Sequence, residues 1–258
     1  MKYIATFIRP IYALARVSTW EMLRSRLLYS GFMVCMILLT VGFLAARLSF
    51  IQPERILMDF GISAVSICLC AIAILFGATL IPKEVERKTL FIVLSRPVSR
   101  TQLVLGQYLG LSCVVAINWL ILTFSFLTTL VMTQEAGLQL ITRELGVALL
   151  LVGVESLFLG AVAVCFSTFS TPALACMFSV GTYLVGSNAA EFKGVLKAPA
   201  QWMTALLPNL EYFHLGTKIY YRIPITSAYF LGCLAYGVSL IALFLWISCF
   251  TIRTRELQ

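Results

Sequence analysis

The sequence PKEVERKTLFIVLSRPVSRTQ, residues 82–102, lies between two apolar runs at 60–81 and 103–132 that contain no charged residue. Each run reaches the length of about 20 residues that an α-helix needs to cross the hydrocarbon core of a bilayer. The stretch between them begins with dense charge, continues with an apolar patch at 90–94, and turns at Pro97, which ends any helix before it. It therefore predicts two membrane spans joined by a short amphipathic helix and a proline turn.

The helix that follows the proline turn has a recognisable start. Ser99 and Gln102 stand at capping-box spacing, and Val98 and Leu103 are placed to form a hydrophobic staple. A solvated charge run would need neither this cap nor the apolar patch before it. A short helix that is charged at one end and apolar along one side is suited to docking into a groove of a soluble partner. We therefore predict a cytoplasmic coupling helix between the second and third spans.

The composition excludes a water-soluble protein. Of the 258 residues, 60% are apolar and 12% are charged, whereas soluble domains average about 25% charged residues. The chain carries a formal net charge of +8. In a chain this apolar, we attribute the excess of basic residues to cytoplasmic loops and to contacts with anionic membrane lipids, and we expect no nucleic-acid partner.

Apolar runs predict six membrane spans, at 27–46, 60–81, 103–132, 145–166, 173–190 and 227–250. The connections on the side of the N terminus carry twelve lysines and arginines, and those on the opposite side carry seven. Because cytoplasmic loops carry the excess of basic residues, both termini are predicted to be cytoplasmic. The expected fold class is an all-α polytopic membrane protein, with residues 1–258 forming a single transmembrane domain.

The segment 1–26 is too polar to span a membrane, yet it has helical periodicity. Its apolar face is formed by Ile11, Leu14, Ala15, Ser18 and Met22. We predict a cytoplasmic interfacial helix, with Trp20 anchored among the lipid headgroups. The alternative is that the segment extends the first span, although the capping-box spacing of Ser18 and Glu21 indicates a break near that point.

The longest connection is predicted on the external side, at 191–222. It is rich in aromatic residues and is interrupted by Pro199 and Pro208. A piece of this size cannot form its own core, so we expect short interfacial or partly re-entrant helices. His214, the only histidine, lies here with Glu211 nearby, but without a second histidine or a cysteine on that side we expect no metal site.

Two polar residues inside predicted spans are candidates for a translocation path. Glu155 lies near the middle of the fourth span, where an unpaired charge costs about 2.5 to 3.5 kcal/mol. It either lines or gates the path, in contact with substrate or a basic partner, or it is a protonated or hydrogen-bonded structural carboxyl between helices. Asn118, in the third span, either forms an interhelical hydrogen bond or contacts substrate.

Two other classes of membrane protein fit the sequence less well. An intramembrane enzyme needs a nucleophile and a base, or paired carboxylates, at one depth, and the predicted spans contain a single acidic residue. We therefore assign no catalytic residue. An ATP-independent secondary transporter is the main alternative, but inverted repeats are typical of that class and no internal repeat is evident. The sequence also lacks the P-loop pattern G-x-x-x-x-G-K-[ST], so any ATP-driven role requires a separate subunit.

The run ERKTLFIVLSRPVSR at 86–100, followed by Gly106 and Gly110, resembles the first cytoplasmic loop of the permease subunits of type-2 ABC exporters. Two positions depart from the family pattern. Lys88 stands where many members have glycine, and Gln107 stands where many have lysine.

The rest of the chain agrees with this resemblance. The basic segment that ends at 23–26 is similar to the family's interfacial connecting helix. Pro208, Asn209, Leu210 and Phe213 resemble a motif in the last external loop of some members. The tail at 252–256 resembles their basic C-terminal end.

The resemblance implies a half-transporter with six helices per protomer, which exports its substrate across the cytoplasmic membrane of a bacterium or archaeon. It implies pairing with a second permease, identical or related, and energy from two cytoplasmic ATP-binding subunits. ATP and Mg²⁺ are then bound by those subunits, and this chain holds no cofactor. The residues implied to couple it to the ATP-binding partner are Glu84, Glu86, Arg87, Thr89, Leu90, Leu94, Arg96, Pro97 and Arg100.

Overall fold

The computed structural model describes residues 2–48, 53–86, 99–133, 142–189, 191, 208–214 and 226–254. These ranges contain seven α-helices, one short 3-10 helix and no β-strand. The helices are α1 (Lys2–Leu23), α2 (Arg26–Leu48), α3 (Pro53–Glu86), α4 (Arg100–Thr133), α5 (Arg143–Ser167), α6 (Pro172–Ser187) and α7 (Ser227–Thr254), and the 3-10 helix is Leu210–Tyr212. The predicted all-α class is confirmed for these residues.

Four of the helices are long and apolar enough to cross a membrane. Their apolar parts are Arg55–Lys83 in α3, Arg100–Met132 in α4, Arg143–Ser167 in α5 and Ser227–Ile252 in α7. In α2 and α6 the apolar parts are shorter, at Gly31–Leu44 and Pro172–Ser187. These helices support an integral membrane protein, while the six-span count and the sidedness of the termini remain predictions.

α5 is the central helix of the bundle. It packs against α3, α4, α6 and α7, and α3 also packs against α2. In the most apolar part of each helix, 72% of the α5 residues and 78% of the α3 residues are buried, compared with 11% in α7. The large side chains that α7 exposes are apolar and include Leu231, Val238 and Trp246. This outer helix therefore presents a surface suited to lipid tails or to another membrane-embedded chain.

α1 is a separate helix that packs along the first half of α4. Because it ends at Leu23 and α2 begins at Arg26, it does not extend the first span. The predicted break is present but lies at residues 24–25, a few residues after Ser18 and Glu21, and α1 continues through Ser18. The Ser18 hydroxyl donates to Gln107 Oε1 of α4 at 2.7 Å instead of capping a helix. The position of α1 at the membrane surface remains a prediction.

Two glycines allow α1 and α4 to approach closely. A Cβ atom on Gly106 would lie 2.8 Å from the Cβ atom of Leu14, and one on Gly110 would lie 2.9 Å from the backbone oxygen of Ala15. Neither position has room for a side chain. The predicted apolar face of α1 is therefore used to pack on α4, with Ile11 and Ala15 buried in the contact.

The predicted capping box at the start of α4 is confirmed. The Ser99 backbone N–H donates to Gln102 Oε1 at 2.8 Å, and the Gln102 backbone N–H donates to Ser99 Oγ at 3.3 Å. These reciprocal bonds satisfy donors that a helix start otherwise leaves without partners. α4 consequently begins directly after the segment 87–98, which lies outside the described residues.

Candidate functional site

Glu155 lies near the midpoint of α5, twelve residues after Arg143, and its side chain is completely buried. Ser66 Oγ of α3 donates to Glu155 Oε2 at 3.4 Å, which is a long hydrogen bond. Glu155 Oε1 is buried and accepts no hydrogen bond within the described part of the chain. The carboxyl group is therefore only partly satisfied, although most buried polar groups have a hydrogen-bond partner.

Further polar side chains surround this carboxyl group. Cys70 on α3 and Tyr183 on α6 lie close enough to Glu155 to interact with it electrostatically. We refer to Ser66, Cys70, Glu155 and Tyr183 as the central polar cluster. It joins three helices at the middle of the bundle. Because ionisable residues inside membrane bundles are costly and commonly mark functional sites, this cluster is the candidate functional site.

The segment 208–214, which contains the 3-10 helix, is docked against α6. Its turn is set locally, because Asn209 Oδ1 accepts a hydrogen bond from the Glu211 backbone N–H at 3.0 Å. Leu210 and Phe213 are completely buried. A Cβ atom on Gly186 of α6 would lie 2.6 Å from Leu210 Cδ1, so the two elements are in direct contact. We refer to residues 208–214 as the docked segment.

α7 holds the docked segment by polar and aromatic contacts. Tyr236 Oη accepts from the Asn209 backbone N–H at 3.0 Å, and Tyr229 Oη donates to the Tyr212 carbonyl oxygen at 3.2 Å. The rings of Phe213 and Tyr236 stack with their centroids 6.2 Å apart. Tyr236 lies nine residues into α7, which at about 1.5 Å per residue is roughly 14 Å from the start of the helix. The segment therefore lies alongside α7, not beyond its end.

His214 connects the docked segment to the central polar cluster. Its Nε2 atom lies 3.8 Å from Glu155 Oε1, and its Nδ1 atom lies 3.2 Å from the Leu210 carbonyl oxygen. The His214 side chain is 40% exposed, whereas that of Glu155 is completely buried. Among the described residues, no other basic side chain lies within 4.0 Å of the Glu155 carboxyl group. A basic group is thus placed beside Glu155.

Asn118 on α4 is buried, but its amide group is bonded within its own helix. Nδ2 donates to the Val114 carbonyl oxygen at 2.9 Å, and Oδ1 accepts no hydrogen bond in the described ranges. The neighbouring residue makes the interhelical bond instead, because Trp119 Nε1 donates to the Leu149 carbonyl oxygen of α5 at 2.7 Å. The hydrogen bonds of the described residues do not bring Asn118 and Glu155 together.

A second candidate site is the end of the bundle where α3 ends and α4 begins. Lys83 of α3 forms an ion pair with Glu21 of α1 at 2.5 Å, with both side chains partly exposed. On α4, which follows the segment 87–98 in the sequence, Gln107 accepts a buried hydrogen bond from Ser18 of α1. α1 therefore contacts both helices that flank the predicted coupling helix.

The predicted coupling residues are only partly described. The residues Arg87, Thr89, Leu90, Leu94, Arg96 and Pro97 lie outside the described ranges. The backbone of Glu84 and Glu86 forms the end of α3. Arg100 is the first residue of α4, and its guanidinium group donates to the Ile252 carbonyl oxygen near the end of α7 at 3.2 Å. The role of these residues in docking remains a prediction.

Sequence reasoning selected Glu155 and the motif at 208–213 separately and did not connect them. The available signals were a single histidine and a single acidic residue in the predicted spans. No spacing rule relates α5 to a connection that follows α6, so their contact depends on the packing of the bundle. In the part of the chain that the structure describes, no group of three or more His, Cys, Asp or Glu residues is placed to hold a metal ion.

Comparison with known proteins identifies one protein family. Residues 39–229 match the model of the family described as "ABC-2 family transporter protein". This match covers more than half of the 258 residues and includes the central polar cluster, the docked segment and the segment 87–98. A comparison with curated proteins finds no match. The family match confirms the resemblance that the run at 86–100 indicates.

Proposed function

Because the chain belongs to the ABC-2 family of transporter proteins, we propose that it is the membrane-spanning permease subunit of an ATP-driven exporter. It crosses the cytoplasmic membrane of a bacterium or archaeon with six spans and keeps both termini in the cytoplasm. A second permease, identical or related, completes the translocation path. The family match carries this proposal, because it assigns the chain to the membrane part of a transporter.

The energy comes from two copies of a cytoplasmic ATP-binding subunit, which bind ATP and Mg²⁺. This division is supported by the sequence, which contains no P-loop pattern able to hold the phosphates of ATP. The permease contributes the path and the docking surface. The ATP-binding subunits contribute the nucleotide-dependent movement.

The coupling step acts through the segment 84–94. When the ATP-binding dimer closes, this segment moves as a lever, and the turn at 95–100 passes the movement to α3 and α4. The proposal is supported by contacts on the two helices that flank the segment, where the Glu21–Lys83 ion pair and the Ser18–Gln107 hydrogen bond tie α1 to α3 and to α4. Movement of the lever is therefore transmitted to three helices. This is a two-state mechanism, in which ATP binding favours one packing of the bundle.

Glu155 and Asn118 are the polar residues that we assign to the translocation path. Glu155 has the stronger support, because its carboxyl group is buried, has one oxygen without a hydrogen bond in the described ranges, and lies beside the partly exposed His214. Asn118 has a buried amide oxygen that accepts no hydrogen bond from a described residue.

The experiment that tests this function is affinity purification of the tagged full chain from its native membrane in a mild detergent. We expect an ATP-binding protein with a P-loop to co-purify in an equal amount. The double charge reversal Glu86→Lys/Arg87→Glu is expected to abolish this association, because it inverts the charges of the predicted docking helix. The matched control is Arg55→Glu/Asp59→Arg, which reverses an ion pair of 3.7 Å at the other end of α3.

Loss of the ATP-binding protein with the first double variant and its retention with the control would support both the energy source and the coupling segment. Retention with both variants would contradict the coupling assignment. Failure to recover any ATP-binding protein in several mild detergents would contradict the ATP-driven function, and ion-gradient-driven transport would then be the function to test.

A further inference from the structure

The contact between Glu155 and His214 joins a completely buried acid on α5 to a partly exposed base on the docked segment. Burying a carboxylate without a counter-charge is unfavourable, and this one is placed at the middle of an apolar bundle. Its neighbours from α3 and α6 are Ser66, Cys70 and Tyr183, none of which is basic. Within the described residues, His214 is therefore the group able to balance the charge of Glu155.

The geometry of the imidazole ring indicates which proton it uses. A carbonyl oxygen only accepts hydrogen bonds, so Nδ1, 3.2 Å from the Leu210 carbonyl oxygen, must carry a proton. The second nitrogen, Nε2, faces Glu155 Oε1 at 3.8 Å. That oxygen accepts no hydrogen bond within the described ranges, so Nε2 is the group placed to share a proton with it.

We propose that His214 is a positioning residue, whose imidazole ring pairs with Glu155 and holds the docked segment over the central polar cluster as a plug. The pair stabilises the docked state and is lost when the segment leaves α6 and α7. Release of the plug opens the central polar cluster to the side of the membrane on which the 191–222 connection lies. Only this last assignment, as a step of transport, rests on the proposed function.

The chain contains a native reporter for the position of the plug. Cys233 of α7 is buried, and its Sγ atom lies 3.7 Å from the Tyr212 carbonyl oxygen of the docked segment. When the segment leaves, this thiol loses that cover. Cys165, near the opposite end of α5, is also buried and serves as an internal control.

The experiment measures the rate at which a small maleimide labels each cysteine of the full chain in lipid nanodiscs, resolved by mass spectrometry. The variants are His214→Gln, Glu155→Gln, the double variant and His214→Lys, and Tyr212→Phe is the matched control on the same segment. We expect His214→Gln and Glu155→Gln each to increase the labelling rate of Cys233 by at least about tenfold, because each removes one partner of the contact at the buried carboxyl group. The rate for Cys165 should not change.

The double variant distinguishes a direct pair from two separate effects. If the two residues act through each other, the double variant should label Cys233 no faster than the more affected single variant. His214→Lys should restore most of the protection, because it keeps a positive charge near Glu155. Tyr212→Phe should behave as the unchanged chain, since its carbonyl contacts are retained.

An unchanged Cys233 rate in His214→Gln would overturn the proposal, and because His214 is partly exposed, this substitution does not threaten folding. The pairing would also be contradicted if the two single effects on the labelling rate multiply in the double variant. The same holds if His214→Lys fails to protect Cys233. The measurement needs no ATP-binding partner. Its failure is therefore distinguishable from a failure of the transport function.

Discussion

At the end of the bundle where α3 stops and α4 starts, α1 is held by close glycine contacts, by a buried hydrogen bond and by a partly exposed ion pair. At the middle of α5, the docked segment is held by two buried apolar side chains and by an acid–base contact. The Glu21 and Lys83 side chains of the first region are 39% and 47% exposed, whereas Glu155 of the second has no exposed surface. A contact between an acid and a base is thus placed in two different dielectric environments.

This difference indicates which of the two regions is rigid and which one can switch between two states. Exposed ion pairs contribute little to stability, so α1 depends mainly on its fit against Gly106 and Gly110. A contact to a completely buried carboxyl group contributes much more when its partner is removed. We therefore expect the α1 region to move as one unit with α3 and α4, and the docked segment to open and close as a second unit that responds to this movement.

The largest effect should follow from removing the aromatic anchor of the docked segment. Phe213→Ala deletes a completely buried ring that stacks on Tyr236. The expected cost to docking is about 3 to 5 kcal/mol, as for other buried aromatic truncations. The measurement is maleimide labelling of Cys233, which should become much faster. The control is Phe124→Ala, because that ring is mostly exposed on α4. An unchanged labelling rate of Cys233 in Phe213→Ala would show that the docked segment is not held by its apolar side chains.

The next effect should come from the contact between α1 and α4. In Gly110→Ala the new Cβ atom would lie 2.9 Å from both the Ala15 backbone oxygen and the Ser18 Cβ atom, so α1 must shift. Overpacking of this kind costs about 1 to 3 kcal/mol. The midpoint of thermal aggregation, followed by size-exclusion chromatography, should fall. Gly181→Ala is the control, since no atom lies within 4 Å of its Cβ position. Equal thermal midpoints for the two variants would contradict the tight fit of α1 against α4.

A smaller effect is expected from Tyr236→Phe, which removes the acceptor of the Asn209 N–H bond while keeping the aromatic contact. One such bond is worth about 1 kcal/mol. Labelling of Cys233 should therefore accelerate several-fold, less than in Phe213→Ala. The exposed Tyr12→Phe on α1 serves as the control. If Cys233 is labelled at the same rate in Tyr236→Phe as in the unchanged chain, this hydrogen bond does not hold the docked segment.

The smallest effect should be that of Glu21→Gln. The Glu21–Lys83 pair is partly exposed, so its loss should cost less than about 1 kcal/mol and should be screened by salt. The thermal midpoint should fall slightly at low ionic strength and not at high ionic strength. A large decrease in the thermal midpoint that persists in high salt would show that the Glu21–Lys83 pair is not the weak, screened contact that distinguishes this region from the one around Glu155.

The helices of the bundle could be predicted from the sequence because local features determine them. Apolar runs located the helices of the bundle, and Ser99 with Gln102 gave the start of α4, since the two bonds of a capping box join residues three positions apart. The same spacing at Ser18 and Glu21 does not form a capping box, because Ser18 donates to Gln107 of α4. A long-range partner thus replaced the local one.

The candidate site could be predicted only in part. The cost of burying an acid singled out Glu155, and the motif at 208–213 was visible as a resemblance. The contact of Glu155 with His214 could not be predicted, because it requires α3, α5, α6 and α7 to pack as they do. The docking of the segment 208–214 also depends on the close approach of Gly186 to Leu210, which no periodicity in the sequence reveals.

The most direct test of the whole account joins the two regions. The chain is purified with its co-purifying ATP-binding subunit, and the labelling rate of Cys233 is measured with and without a non-hydrolysable ATP analogue. If movement of the segment 84–94 reaches the docked segment, the analogue should change this rate and leave Cys165 protected. An identical Cys233 rate with and without the bound analogue would contradict the account that ATP binding drives the opening of this permease.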